Sequence, residues 1–472
     1  MNNEFSYFFY DFESFGISPA EDRPAQFAGI RTDSEFNIIG EPVMLYCKQT
    51  NDYLQSPEAV LVTGITPQEC NEKGLSEPEF AAKILAEFSQ PNTCIIGYNN
   101  IRFDDEMTRY TFYRNFIDPY EYSWKNGNSR WDLLDLVRAC YALRPEGIEW
   151  AYDEDGNPSF RLEKLTVANG IEHSNAHDAM ADVYATIAMA KLIKQKQPKF
   201  FQFFFNYRGK KALETLVNVT EMTPLVHVSG MLGNYRGNCT WITPLAWHPT
   251  NQNALIVCDL SQNIDDLLTK SADELRTHLY TKKSELEEQG ILPVPLKLVH
   301  LNKCPILAPA KVLLPENAER LGIDRQYCLA NLQKLRQSPE LRSKMEQIFS
   351  EERQFEPSDN VETQLYRGFF SQNDRNNQHI LRELTPEQLA NHGLTFEDER
   401  VEQLLFHYRA RHFFKTLNRG EQLQWERYRR RKLEKTAVDF EQKMQNLIEE
   451  YSNDEEKLQL LHSVYEYASK LL

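Results

Sequence analysis

No run of about 18 apolar residues occurs in the 472-residue chain, so the sequence offers no membrane-spanning helix. The opening MNNEFSYFFYDFE lacks a basic start and a small-residue cleavage site, which makes the cytoplasm the expected location. Eight cysteines (Cys47, Cys70, Cys94, Cys140, Cys239, Cys258, Cys304 and Cys328) stand singly, with no CxxC pair and no short-spaced His/Cys cluster. That disfavours a tetrahedral zinc site or a disulfide framework and leaves them as buried thiols. Internal repeats and low-complexity tracts are also missing. So is a surplus of positive charge: the formal net charge of -16 argues on its face against a nucleic-acid partner. The objection weakens where part of the acid serves as metal ligand and local basic clusters still make a phosphate track.

What is present is a soluble globular composition, 41% hydrophobic and 26% charged, in a chain long enough for about three domains. The first 197 residues alternate strand and helix signals. Phe5 to Asp11, Gln26 to Arg31, Asn37 to Cys47 and Thr93 to Tyr98 read as strands. Pro78 to Phe88, Asp105 to Phe116, Trp131 to Leu143 and Ala179 to Leu192 carry apolar residues at helical spacing. The pattern is a mixed α/β sheet. Residues 198–352 open with the aromatic, helix-like KFFQFFFNYRGKKALETL and continue through LVHVSG, CTWITPLAWHP and NALIVCDL, a β-rich domain with helical flanks. EERQFEPSDN reads as a linker, and residues 353–472 are almost wholly helical by pattern.

Three elements carry chemistry. In FFYDFESFG, the two-residue period of a strand projects Asp11 and Glu13 from one face and Phe12 from the other. Two carboxylates on a buried face repel unless a cation neutralises them, and oxygen donors suit Mg²⁺ or Mn²⁺; the bland alternative is an exposed strand end. In GYNNIRFDDEMTR, Asn99 or Asn100 shapes a turn and Asp104 opens a helix, where capping alone would explain a carboxylate. In HSNAHDAMADVYATIAMAKLI, Ala179, Val183, Ile187 and Ala190 form an apolar stripe with Asp182 in the first turns. His177 lies at or just before the helix start and can fold over the same site, whereas His173 reads as a surface or capping histidine.

Taken together, DxE on a first strand, NxxFD at a strand-to-helix turn and HxxxxD at a late helix resemble the DEDDh class of 3′-to-5′ exonucleases on the RNase H-like fold. VTGITPQE, Val62 to Glu69, is similar to the loop this class places near the terminal nucleotide. NSRWDLLD, CYALRPEGI, SFRLEKLT, PLVHVSGM, NKCPILAP and LLFHYRAR extend the resemblance to bacterial exonuclease I over essentially the whole chain. That resemblance implies an RNase H-like exonuclease domain, an SH3-like β-rich domain and an all-α C-terminal domain.

It also implies a processive hydrolysis of single-stranded DNA to nucleoside 5′-monophosphates, in repair and recombination; three domains with no obvious exposed apolar helix face make a monomer the expected state. Asp11, Glu13 and Asp182 would hold two Mg²⁺ ions, with Asp104 completing the set and Mn²⁺ able to substitute; such ions, about 3.5–4 Å apart, bind the attacking water and the leaving oxygen. His177 would be the general base, oriented by Asp104 or Asp178. Arg161 matches a residue near the scissile end, its alternative being an ion pair with Glu163 or Glu149. Arg109, Tyr120, Trp124 and Arg138 flank the second and third motifs, where arginines hold phosphates and aromatics stack bases; Trp131 reads as core. Phe406, Tyr408, Arg409, Arg411 and Phe414 in LLFHYRARHFFKTL, with ERYRRRKLEK, line a groove or simply present one solvated and one packed helix face. The family's partner is the acidic tail of single-stranded-DNA-binding protein, for which a basic face of Arg320, Arg325 and Arg336 is the expected seat; Leu314 and Thr223 depart from the basic residues of relatives. The rival readings are an oligoribonuclease or proofreading exonuclease within the class, and a catalytically dead single-strand-binding module outside it.

Overall fold

The structure is a computed structural model, and it describes residues 4–173, 178–351 and 358–472. Two compact units emerge: Met1–Ser129 with His173–Ile187 and Glu356–Leu472, and Arg130–Glu172 with Ala188–Phe355. The C-terminal helices therefore share a unit with the first strands of the chain.

In that unit β1 (Ser6–Ser14) pairs antiparallel with β2 (Pro24–Thr32) and parallel with a later strand, and β2 pairs antiparallel with β3 (Val43–Tyr46). The parallel neighbour is β4 (Thr93–Gly97), giving the order β3-β2-β1-β4, and β5 (Ser129–Asp132) leads the chain out of the unit. The strand expected over Asn37 to Cys47 is only Val43–Tyr46, because Gly40 (φ +83°) and Pro42 interrupt it; Ile38 keeps a single bridge to Thr32.

Helices α1 (Pro57–Thr63) and α2 (Pro67–Lys73) each start with a proline behind a capping hydroxyl, Ser56 or Thr66, that accepts from the backbone three residues on. Helix α3 (Glu77–Phe88) and α4 (Asp104–Arg114) follow. Phe8, Tyr10 and Phe12 of β1 join Phe27, Phe80, Phe88, Ile95 and Phe112 in one buried cluster. Phe27 is fully buried among Phe8, Phe12 and Phe88, so Phe27→Ala removes a side chain whose loss costs about 3–5 kcal/mol. This face anchors β1 and leaves the opposite face free for Asp11 and Glu13.

The C-terminal helices close a second cluster of the same unit. Leu433, Phe440 and Met444 of the helix Arg419–Glu450, with Leu461 and Val464 of Glu455–Leu471, pack on Phe15, Tyr53, Val60 and Ile65. Charge does comparable work. Asp52 accepts from Arg411 at 2.6 Å and Lys432 at 2.8 Å, and Glu362 accepts from Arg23 and from Arg411. Burial opposes ionisation of both carboxylates, but these cations overcome it and hold them well below the usual carboxylate range.

The other unit holds an antiparallel sheet ordered Leu296–His300, Ala254–Asp259, Cys239–Trp247, Leu225–Val228, Ile306–Pro309. It also holds α5 (Leu133–Leu143) and α6 (Leu162–Ala168), while α7 (Ala179–Lys196) carries the chain from one unit to the other. Trp131 is buried edge-on against Phe201 and Phe205, a core residue as expected. All eight cysteines are buried and free.

Candidate active site

Beyond Tyr10 the inward and outward faces of β1 diverge: Phe12 is buried, while Asp11 and Glu13 are only partly so. Asp11 lies opposite Ala28, and Glu13 opposite Gln26. Gln26 is fully buried, and its Oε1 accepts from the Ala179 amide at 3.2 Å, which ties β2 to the first residue of α7. Asp178 caps the same helix by accepting from Ala181 at 3.1 Å, and Asp182 follows one turn later. Oxygens of Asp11, Glu13 and Asp182 thereby lie within 4.8 Å of one another, the only such metal-ligand set among the described residues.

Asp104 stands outside that triad but is locked to it. Asn99 adopts a left-handed φ of +66°, and the Asn100 carbonyl accepts from the Asp105 amide at 2.8 Å, so the chain turns from β4 into α4. The Asp104 carboxylate is buried and accepts from the backbone amide of Phe12 at 3.1 Å, between the two acidic residues of β1. Neighbouring Asp105, fully buried, accepts from the Tyr10 hydroxyl at 2.7 Å, a second tie between α4 and β1.

Burial, then Asp104, Glu13, Asp182 and Asp178, push the Asp11 carboxyl well up. Burial followed by Asp182, Asp104 and Asp178 pushes Glu13 up to about 9. The charges that push the pair up are those of neighbouring carboxylates. Two unit charges 4 Å apart repel by roughly 4 kcal/mol at an effective dielectric of 20, so the fully ionised set needs a counter-ion. A set of carboxylate oxygens of this kind fits a hard divalent cation.

The expected role of His173 does not hold. Its side chain is 2% exposed and its Nε2 lies 2.6 Å from Asp182 Oδ1, so it is a buried partner of the acidic cluster rather than a surface or capping residue. Nine residues separate the pair, a distance at which no helix or strand period brings two side chains together. His177 lies outside the described residues.

The expected substrate residues fall in different settings. Arg109 projects from α4, pairs with Glu106 at 2.9 Å and sits over the Tyr120 ring at 5.3 Å. Trp124 is 62% exposed. In the other unit, Arg161 is exposed and 3.9 Å from Glu163, and Arg138 pairs with Asp135 at 2.8 Å. Of the basic trio, Arg320 donates to the Tyr141 carbonyl at 2.6 Å, Arg325 lies 5.3 Å from the Trp241 ring and Arg336 donates to the Glu221 carbonyl at 2.7 Å.

Three family models match in series: "Exonuclease" over residues 8–190, "Exonuclease I SH3-like domain" over 208–351 and "Exonuclease I C-terminal domain" over 359–471. The exodeoxyribonuclease I of Haemophilus influenzae is 75% identical over 472 residues, covering 100% of both chains. The chain belongs to the exonuclease I family. Escherichia coli exodeoxyribonuclease I is 56% identical over 468 residues, 99% of this chain and 98% of its own. E. coli exonuclease I in complex with a dA16 oligonucleotide superposes with a TM-score of 0.97 at 56% identity, covering 99% of this chain and 100% of that one. A structure of SSB/exonuclease I with the inhibitor CFAM gives 0.94 at 54%, over 99% and 100% of the two chains. The zinc-bound E. coli ExoI–ssDNA complex gives 0.96 at 56%, over 99% of each. The α/β exonuclease, SH3-like and helical C-terminal architecture expected from the sequence is that of this exonuclease I family, and its exonuclease domain implies dependence on a divalent metal. No described helix is long and apolar enough to cross a membrane.

Proposed function

We propose that this exonuclease I removes nucleoside 5′-monophosphates one at a time from the 3′ end of single-stranded DNA, in repair and recombination. The observation that carries the reading is the convergence of Asp11, Glu13 and Asp182 oxygens within 4.8 Å, with Asp104 tied to the Phe12 amide between them. These four carboxylates hold Mg²⁺, with Mn²⁺ as a substitute. A divalent ion bound there supplies Lewis acidity, making water a better nucleophile and stabilising a leaving oxygen. The protein's own groups do the rest. His177 accepts the proton of the attacking water, with Asp104 or Asp178 as the carboxylate that orients it. The Asp104 bond to the Phe12 amide and the Gln26 tie to Ala179 join the three elements that carry the carboxylates, β1, α4 and α7. Arg109, Tyr120, Trp124, Arg138 and Arg161 contact the strand.

The SSB/exonuclease I complex of the relative supports a like partner here, the acidic tail of single-stranded-DNA-binding protein, on the unit carrying Arg320, Arg325 and Arg336. The enzyme works as a cytoplasmic monomer. The test is hydrolysis of 3′-labelled and 5′-labelled oligonucleotides, single-stranded, duplex and RNA. Immediate mononucleotide release from the 3′ label of single-stranded DNA is expected. Preference for RNA moves the reading to an oligoribonuclease, and tight binding without cleavage replaces it with a binding module.

A further inference from the structure

Past Phe9 the strand β1 loses β4 as a neighbour: the parallel pairs run from Ser6 with Thr93 to Phe9 with Ile96 and stop. Helix α4 takes over the next stretch. Gly97 ends β4 without a side chain, and a Cβ there would stand 2.9 Å from the Tyr10 carbonyl oxygen and 2.8 Å from the Asn100 Cβ, so the turn into α4 lies directly against β1. The first two residues of α4 then grip β1 at separate points. Asp104 accepts from the Phe12 amide at 3.1 Å. Asp105, whose own amide donates to the Asn100 carbonyl at 2.8 Å, accepts from the Tyr10 hydroxyl at 2.7 Å.

Cohesion alone does not call for the second grip. Tyr10 is 2% exposed, its ring packed against Phe12, Phe27 and Phe88, and Asp105 is fully buried beside it. Apolar side chains in these places would hold strand and helix together without the desolvation that a buried carboxylate entails. What a hydrogen bond adds is direction. Successive residues of a helix lie about 100° apart around its axis, and Tyr10 and Phe12 lie about 6.6 Å apart along β1. The two bonds together therefore fix the roll of α4 about its own axis, whereas the Asp104 bond alone leaves that roll to the surrounding packing. A carboxylate about 5 Å from the axis moves about 1 Å for a roll of about 11°, and a displacement of that size costs about a hundredfold in rate. Asp104 is the carboxylate that such a roll carries away from Asp11, Glu13 and Asp182.

Resting on the proposed hydrolysis, we infer that Tyr10 and Asp105 are positioning residues for the reaction: their buried hydrogen bond sets the orientation of Asp104 toward the other three carboxylates. The Tyr10 side chain lies on the opposite face of β1 from Asp11 and Glu13, so its hydroxyl reaches the site through Asp105 and α4.

The test takes the full chain as wild type, Tyr10→Phe, Asp105→Ala, Asp105→Asn and the double variant Tyr10→Phe/Asp105→Ala. It reads kcat and KM on single-stranded DNA, Mg²⁺ affinity by calorimetry, and urea unfolding. Tyr10→Phe keeps its ring in the aromatic cluster; it is expected to lower kcat and to weaken Mg²⁺ binding by about 10- to 100-fold, the range for partners of metal ligands, with KM for DNA little changed. Asp105→Asn, whose amide oxygen still accepts from Tyr10, is expected to stay close to wild type, and the double variant to lose no more than the worse single one. Variants that unfold at lower urea but keep kcat and Mg²⁺ affinity would make the bond purely structural and overturn the inference, as would single losses that multiply in the double variant. If Asp105→Ala does not fold, Tyr10→Phe against Asp105→Asn decides. Wild type that binds Mg²⁺ but cuts no single strand removes the proposed hydrolysis, while the Mg²⁺ affinities of the variants still decide the role of the pair.

Discussion

Glu77 offers the sharpest stability prediction. It opens α3, its carboxylate is buried, and it accepts from Arg114 Nε at 3.0 Å and from Asn115 Nδ2 at 2.7 Å at the far end of α4, the helix that begins with Asp104. Burial opposes its ionisation, yet Arg114 and Arg23 outweigh that and draw its pKa from 4.5 down to about 2. Such a fall corresponds to about 3 kcal/mol, comparable to the cost of stripping a partner from a buried ion pair. The folded state binds this proton less readily than the unfolded chain. Its contribution is therefore complete above about pH 4.5 and is lost as pH falls through about 2. Urea unfolding of wild type and Glu77→Gln from pH 7 downward is expected to show a difference of about 3 kcal/mol that closes in acid. A difference below about 1 kcal/mol at pH 7, or one that persists unchanged in acid, would refute the assignment of that energy to the ion pair.

Three further outcomes are expected. Arg411→Met strips Asp52 and Glu362, with side chains 0% and 1% exposed, of their shared cation, and should lower the free energy of urea unfolding by about 3–5 kcal/mol; Lys432 and Arg23 alone sufficing would show as a near-silent variant. Because Glu13 without a cation is pushed up to about 9, Mg²⁺ binding near pH 8 should release protons, measured by calorimetry in buffers of different ionisation heat; buffer-independent heats would contradict it. Gln26→Leu, which unties β2 from the Ala179 amide, should raise the Mg²⁺ concentration for half-maximal activity several-fold, with smaller loss at saturating metal, as read from metal titrations.

Much of the site was legible because its residues obey local rules. The two-residue period of β1 separates Asp11 and Glu13 from Phe12, and the turn through Asn99 and Asn100 delivers Asp104 at a helix start. Where local rules ran out, so did the reading. Helices α1 and α2 are seven residues each, too short for an apolar stripe, although their Ser-Pro and Thr-Pro starts were a usable signal. His173 pairs with Asp182 nine residues on, a spacing that matches no helix or strand period. The ion cluster joins Arg23 to Glu362, 339 residues away, and the rings of Phe369 and Tyr120 meet only once the C-terminal helices have packed. Charge composition misled in the expected way: the acid that opposed a nucleic-acid partner includes Asp11, Glu13 and Asp182, whose oxygens converge within 4.8 Å, and Asp104, bound to the Phe12 amide.

The measurement that bears most directly on the account is rapid-mixing hydrolysis of 3′-labelled single-stranded DNA by wild type and Asp11→Asn, with Mg²⁺ and with chelator. The carboxylate account predicts prompt mononucleotide release only by wild type with metal, and a loss of at least about a thousandfold for Asp11→Asn that added Mg²⁺ does not restore. Comparable release by Asp11→Asn, or by wild type in chelator, would contradict it.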